Sequence, residues 1–372
     1  MTALSRRDWL KAAALTPAAL SITTPFAAAA PTADDLKGVV DKAAKFLASK
    51  QKDNGDLAPD PRVGPGVTAL AVSALIRNGQ PDNSVVTKGL VFLEKNIQPD
   101  GGIYSKGLEN YTTCLAIVTF KEANAGGKYD KVLDAATKYV KSLQYGDGTD
   151  EKDVKFGGVG YGGKARPDLS NTQFMVEAMI AAGVSKDDPA IKRALKFISR
   201  SQNLKSEFND QPFADKASEE DKGGFVYNPQ DQDNEKSDKR TAAGGLRSEG
   251  GMTYAGLKSF LYAGVGKDDP RVKAAIAWIR KNYSVTENPG QKDAGLFYYY
   301  VTFAKAMEAL GEDPFLDAKG AKHDWRQELF DQLKKTQKAD GSWANGNRAF
   351  FESAPELATA FALLALSYTK KK

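Results

Sequence analysis

A helix-pair pattern recurs six times between residues 31 and 372, and it limits what this chain can fold into. Its plainest two copies begin Lys186-Asp187-Asp188-Pro189 and Lys267-Asp268-Asp269-Pro270, 81 residues apart. In each, the Asp suits an N-cap, and the Pro suits the first helical position because it has no N–H to leave unpaired there. A finer signature pairs an aromatic with an aliphatic residue and, after three more residues, usually places a Gln. Phe46-Leu47 with Gln51, Tyr139-Val140 with Gln144 and Phe197-Ile198 with Gln202 carry it in full. Phe92-Leu93 with Ile97, Trp278-Ile279 with Tyr283 and Gln332-Leu333 with Gln337 are variants. A glycine-bearing turn follows each copy: Asn54-Gly55, Asp100-Gly101, Gly157-Gly158, Gly223-Gly224, Gly295 and Asp340-Gly341. Beyond each turn an apolar helix is predicted, over 67–77, 112–123, 172–182, 253–263, 298–310 and 357–368. Gly79, Gly126, Gly183, Gly264 and Gly311 stand where a left-handed C-cap is wanted. A helix apolar on most sides belongs in a buried layer, and an amphipathic one in the layer covering it. Six such pairs in sequence predict an inner ring of helices inside an outer ring.

The ends of the chain read differently. Ser5-Arg6-Arg7-Asp8-Trp9-Leu10-Lys11, followed by an alanine-rich apolar stretch to Ala30, has the form of a twin-arginine export signal. Pro17, Pro25 and several hydroxyl residues argue against a membrane anchor, and small residues before Pro31 suit a signal peptidase. The expected organisation is therefore a signal over 1–30 and one domain over 31–372, with no membrane span once the signal is removed. The expected location is periplasmic or extracellular. Net charge is +5, of which Arg6, Arg7 and Lys11 against Asp8 account for +2, leaving +3 on the exported part. Lys370, Lys371 and Lys372 equal that remainder, and a three-residue tail is not the clustered basic face that nucleic acid requires, so no nucleic-acid partner is expected. Cys114 is the sole cysteine, which rules out an internal disulfide.

Gln337-Lys338-Ala339-Asp340-Gly341-Ser342-Trp343 spells the Q-x-x-x-G-x-W core of a known repeat, and Lys88-Gly89-Leu90-Val91-Phe92-Leu93 matches its upstream half. In these motifs the chain resembles the squalene-cyclase and protein-prenyltransferase superfamily. The resemblance implies an all-α (α/α)6 toroid. On physical grounds Gln51, Gln144, Gln202, Gln337 and Trp343 are expected to tie turns to neighbouring helices rather than to take part in chemistry.

The catalytic signatures of that superfamily are missing. Class II terpene cyclases present a protonated carboxyl in D-x-D-D. The nearest match in position here, Asp168-Leu169-Ser170-Asn171-Thr172, puts Ser170 and Asn171 where the last two aspartates would stand. Asp231-Gln232-Asp233-Asn234 is closer in spelling, but lies in a polar insertion, 203–248, predicted as a solvated loop. A prenyltransferase zinc site would have only Cys114 and His323 to draw on beside acids. Cys114 is read as a buried small residue and His323 as a residue preceding an outer helix, so neither metal nor cofactor is expected. No spacing singles out a polysaccharide lyase or hydrolase, although export leaves an extracellular polymer open as substrate. A divergent cyclase or prenyltransferase also stays open, and whether the chain is an enzyme is not decided.

One positional coincidence remains. Glu109-x3-Thr113, Asp168-x3-Thr172 and Glu249-x3-Thr253 place an acid at one point before three inner helices. N-capping and the helix dipole explain acids there, at about 0.3–1 kcal/mol each. The alternative is an acidic and aromatic rim around one mouth of the toroid, with Tyr111, Tyr254 and Tyr298 beside the acids. Such a rim suits a small molecule, a glycan or a protein in the central cavity.

Overall fold

The computed structural model describes residues 30–163 and 165–370. The proposed export signal lies outside them, apart from Ala30. Thirteen α-helices run through the described residues. Six form the inner ring: α2 (Gly66–Arg77), α4 (Glu109–Glu122), α6 (Leu169–Ala181), α9 (Gly250–Tyr262), α11 (Leu296–Leu310) and α13 (Pro355–Leu366). Each corresponds to a predicted apolar helix. Six lie outside: α1 (Ala33–Lys50), α3 (Ser84–Lys95), α5 (Asp130–Ser142), α7 (Pro189–Arg200), α10 (Pro270–Lys281) and α12 (Trp325–Thr336). The remaining one, α8 (Pro212–Asp215), is a single turn in the long insertion.

Inner helices pack in the order α2, α4, α6, α9, α11, α13, and α13 returns to α2, so the ring is closed. Outer helices lean on the inner helix that precedes them: α3 on α2, α5 on α4, α7 on α6 and α10 on α9, while α12 lies between α11 and α13 and α1 packs on α13. The spatial pair is therefore an inner helix followed by its outer helix, with the chain's first and last helices forming the sixth pair. The cause is local. Gly79, Gly183 and Gly264 have φ of +79°, +89° and +83°. Their backbones make the paired N–H bonds of a tight C-terminal cap, as in Gly79 N–H to Ile76 and Gln80 N–H to Leu75. The turn folds the next helix straight back. At the starts of α7 and α10, the Asp188 and Asp269 carboxylates accept from Ala190 N and Arg271 N, and Pro follows each cap.

Three fastenings recur around the ring. The Gln51 side-chain amide donates to Val85 O on α3 and to Gly55 O, both at 3.0 Å. Gln144 treats Ala190 O on α7 in the same way, Gln202 treats Arg271 O on α10, and Gln337 treats Val39 O on α1. Each turn glycine then presses its backbone on the same outer helix three residues further along. A Cβ on Gly157 would stand 1.8 Å from Arg193 O, and one on Gly341 2.3 Å from Lys42 O. Finally, an inner-helix threonine accepts the N–H two residues after the glycine: Thr68 from Leu57, Thr113 from Ile103, Thr172 from Val159, Thr253 from Phe225 and Thr359 from Trp343. Trp343 is buried and its Nε1 donates to Leu333 O at the end of α12.

Two copies depart from this scheme. After α3, Gln98 bonds Asn96 O and Tyr104 O within its own turn. After α10, Tyr283 replaces the Gln, stacks on His323 with ring centroids 4.1 Å apart and donates to Glu328. His323 sits on a two-residue strand, Lys322–His323, paired with Phe315–Leu316 before α12.

The insertion is not merely a solvated loop. Phe213, Ala214, Val226 and Leu246 make a small buried cluster of their own. The Asn203 amide pins the base of the insertion by donating to Leu246 O and Ser248 Oγ. A charge-rich stretch could order in this way because a few apolar residues fold inward while the charges stay wet.

Candidate functional site

All inner helices run in one direction, so their first turns converge at one end of the ring. There they enclose a cavity of about 430 Å³. Val67 and Leu70 of α2, Met252 of α9, and Leu357 and Phe361 of α13 supply apolar wall. Rings link across the space: Tyr161 to Tyr111, Tyr111 to Phe174, Phe174 to Tyr298 and Tyr298 to Phe361, with centroids 6.5, 4.8, 6.1 and 6.2 Å apart. Tyr227 comes from the insertion, and Phe350 and Phe351 from the loop before α13. Phe350 and Phe351 are 53% and 51% exposed, so two large apolar side chains stand open at the mouth.

Backbone strain collects at the same place. Leu108, Phe350 and Phe351 have φ of +55°, +58° and +60° and all three line the cavity. The fourth non-glycine residue in the left-handed region, Lys292 at +56°, adjoins the cavity residue Gln291. Such conformations cost of order 1–3 kcal/mol each and tend to mark ligand-contacting segments.

The six expected rim residues divide. Glu249, Tyr111 and Tyr298 line the cavity. Asp168 lies one layer behind the wall, where its carboxylate caps α6 by accepting from Asn171 N and from the Asn171 side chain. Tyr227, a wall residue, also hydrogen-bonds it. Glu109 falls in the first turn of α4 rather than at its cap, because Leu108 takes the cap, and its side chain turns to Gly162 outside the cavity. Tyr254 is fully buried behind α9 against Tyr299 and Phe303. Glu109 and Tyr254 are thus corrected: the common spacing marks the threonine fastening, and the helix twist carries neighbouring side chains to different faces.

Charge is sparse on this wall. Glu249 is the sole acid lining the cavity among the described residues, and Lys239 Nζ holds it at 3.0 Å. Burial raises its carboxyl, partly offset by Lys239. Arg62, at the rim, is engaged by Asp60 at 2.6 Å. Burial pushes the Asp168 carboxyl up to about 6, against the lowering effect of its bonds from Asn171. Its oxygens are already engaged in capping α6, behind the cavity wall. Cys114 is buried, its Sγ meets Asn110 Oδ1 at 3.4 Å, and burial raises the thiol. His323 bonds Glu328 in the outer layer, away from the cavity. Among the described residues no three His, Cys, Asp or Glu side chains cluster as metal ligands.

Below the cavity the ring is filled by buried charge that the sequence reading did not single out. Lys258 of α9 and Lys305 of α11 each lie 2.5 Å from the Glu177 carboxylate of α6. Burial alone would raise that carboxyl, yet the two ammonium groups outweigh it and hold it at about 2. Beside this trio, Glu122 of α4 accepts from Ser73 and Arg77 of α2, and the Tyr368 ring covers Arg77 at 4.2 Å. The signal was present: Glu177 is the one charged residue inside α6 and Lys258 the one inside α9, and Lys305 shares α11 only with Glu308. These groups close the floor and make the cavity blind.

The sequence model of the squalene-hopene cyclase C-terminal domain family matches residues 53–218, which is less than half of the chain. The closed double ring settles the architecture. The chain is an α/α toroid, part of which is similar to that family. No curated protein matches its sequence. Solved structures share the architecture. An α-amylase from Clostridium perfringens is 14% identical with a TM-score of 0.55, covering 91% of this toroid and 99% of that chain. Cellobiose 2-epimerase from Bacillus thermoamylovorans is 12% identical with a TM-score of 0.53, over 89% and 97% of the two chains. A polysaccharide lyase is 12% identical with a TM-score of 0.53, over 90% and 97%. At these identities the toroid shares a fold with them, and fold alone does not carry function.

Proposed function

We propose that this toroid is an exported binding protein that holds an apolar small molecule in its blind central cavity. The observation carrying this reading is the cavity itself: about 430 Å³, open at one end, aromatic and aliphatic on its walls. That volume lies within the 300–1,000 Å³ usual for small-molecule sites. Binding is favoured over glycan hydrolysis because a glycosidase needs two carboxyl groups across the scissile bond. Here Glu249 is the single acid among the described lining residues, and it is paired with Lys239. It is favoured over terpene cyclisation because Asp168 is set behind the wall as a helix cap.

Native mass spectrometry of protein recovered after export tests the reading. An apolar adduct is expected on the wild type and absent from a folded Met252→Trp variant, whose indole fills the cavity. A wild type free of any adduct, and unable to take up apolar compounds added afterwards, would refute it. Export itself is tested by replacing Arg6 and Arg7 with Lys, which should retain the protein in the cytoplasm.

A further inference from the structure

A directed hydrogen-bond chain runs from the floor of the toroid to the cavity wall. The Lys258 ammonium bonds the Glu177 carboxylate and the side-chain oxygen of Gln173. An ammonium group can only donate, so it takes the carbonyl end of the Gln173 amide and fixes the direction in which that amide points. The NH2 end of Gln173 then faces the Tyr298 hydroxyl, to which it donates at 3.3 Å. Tyr298 in turn shares one hydrogen bond with Ser170 Oγ at 3.1 Å.

The bookkeeping of hydrogens leaves one over. Ser170 and Tyr298 carry two hydroxyl hydrogens, and their mutual bond uses one. The Tyr298 oxygen already accepts from Gln173. Whichever hydroxyl donates within the pair, the other hydrogen has no protein acceptor among the described residues. Both side chains line the cavity. Their surroundings are aliphatic and aromatic, where an unmet donor is costly. The wall thus presents a spare donor at this point, on the same wall as the Tyr111 hydroxyl and the side-chain amides of Asn288 and Gln291.

From this we infer that the cavity selects an apolar ligand bearing a hydrogen-bond-accepting oxygen, of the carbonyl or ether kind, which takes the spare hydrogen of the Ser170–Tyr298 pair. The inference rests on the reading of the cavity as a ligand site. It adds a chemical requirement that shape alone does not impose. Gln173, Lys258 and Glu177 act as positioning residues, holding the pair so that its free hydrogen faces inward.

Two probes of equal carbon count, dodecyl methyl ketone and tetradecane, test it by displacement of phenylnaphthylamine from the full chain. The wild type should bind the ketone more tightly by roughly three- to tenfold, the worth of one net hydrogen bond. Ser170→Ala/Tyr298→Phe should bind both equally, and a cooperative thermal melt shows that the variant is folded. Equal binding by the wild type would overturn the oxygen requirement while leaving the cavity site standing. Failure of both probes to bind the wild type would overturn the site and the requirement together. A preference that survives in the double variant would overturn it as well, and would move the donor to Tyr111. Should the double variant lose tetradecane too, the single variants decide. Each keeps one hydroxyl hydrogen, so loss of the preference in either would overturn the shared-hydrogen account.

Discussion

The side-chain amide of Gln337 donates to the carbonyl of Val39 at 3.0 Å, joining the last turn of the chain to its first helix. The same amide holds Gly341 O at 3.0 Å. Replacing Gln337 with Leu leaves two carbonyl groups without their partner and should cost about 1–3 kcal/mol in urea denaturation. Amide exchange should quicken selectively in α1 and α13, where the ring is sealed. A Lys338→Ala control, on the exposed side of that turn, should stay within about 0.5 kcal/mol of wild type.

The turn glycines are predicted to be intolerant. Gly157 has φ of +87°, and its Cβ would fall 1.8 Å from Arg193 O. Gly157→Ala should therefore lose about 2–4 kcal/mol, because both backbone strain and a clash with rigid helix backbone oppose it. Gly38, inside α1 with nothing within 4 Å of its Cβ position, should behave oppositely. Gly38→Ala is expected to gain up to about 1 kcal/mol from helix propensity.

This contrast bears on what could be read from the sequence. The Gln and Gly positions were legible because each repeats a backbone need, and the apolar helices were legible because a ring buries them on nearly every side. The inner and outer rings followed from that, whereas the threonine fastening was read only as a spacing of acids, and most inner helices pair with the outer helix after them rather than the one before. The cavity wall was less legible. Tyr161, Tyr227, Phe350 and Phe351 come from loops whose conformations no periodicity encodes, and Glu109 and Tyr254 share the right spacing but rotate away from the opening. The buried trio of Glu177, Lys258 and Lys305 could have been seen as charge where the pattern called for apolar residues.

For that trio, Glu177→Gln should cost about 3–5 kcal/mol, since two ammonium groups would remain buried without their counter-charge. Replacing all three by Met should cost much less. The carboxyl is held at about 2, below its usual 4.5, so its contribution is present above pH 4.5 and fades as pH falls toward 2. The acid limb of a stability profile should flatten in Glu177→Gln.

Asp168 predicts the opposite slope. Burial raises its carboxyl from 3.8 to about 6. Its protonated form is favoured in the fold, so its stabilising share is complete below pH 3.8 and is lost as pH rises through about 6. By linkage the loss is at most about 3 kcal/mol. Thermal melts of Asp168→Asn should show less change than wild type between pH 4 and 6.

At the mouth, Phe351→Gly removes a non-glycine residue from the left-handed region. Stability should rise by about 1 kcal/mol, and bound apolar ligand should leave faster in stopped-flow release. A slower release would show that the ring obstructs the opening rather than holding the ligand.

The insertion between α7 and α9 starts and finishes in ordinary fastenings of the ring: Gln202 reaches α10, and Thr253 receives Phe225. Asn203 draws its two ends together, so the ring experiences this long stretch as it does any short turn. Tyr227 nonetheless reaches the cavity from within it. A toroid built in this way separates inheritance from novelty. The helices can stay fixed by their register while a single loop is lengthened, exchanged or reshaped, and each exchange alters what the mouth admits without disturbing the wall beneath.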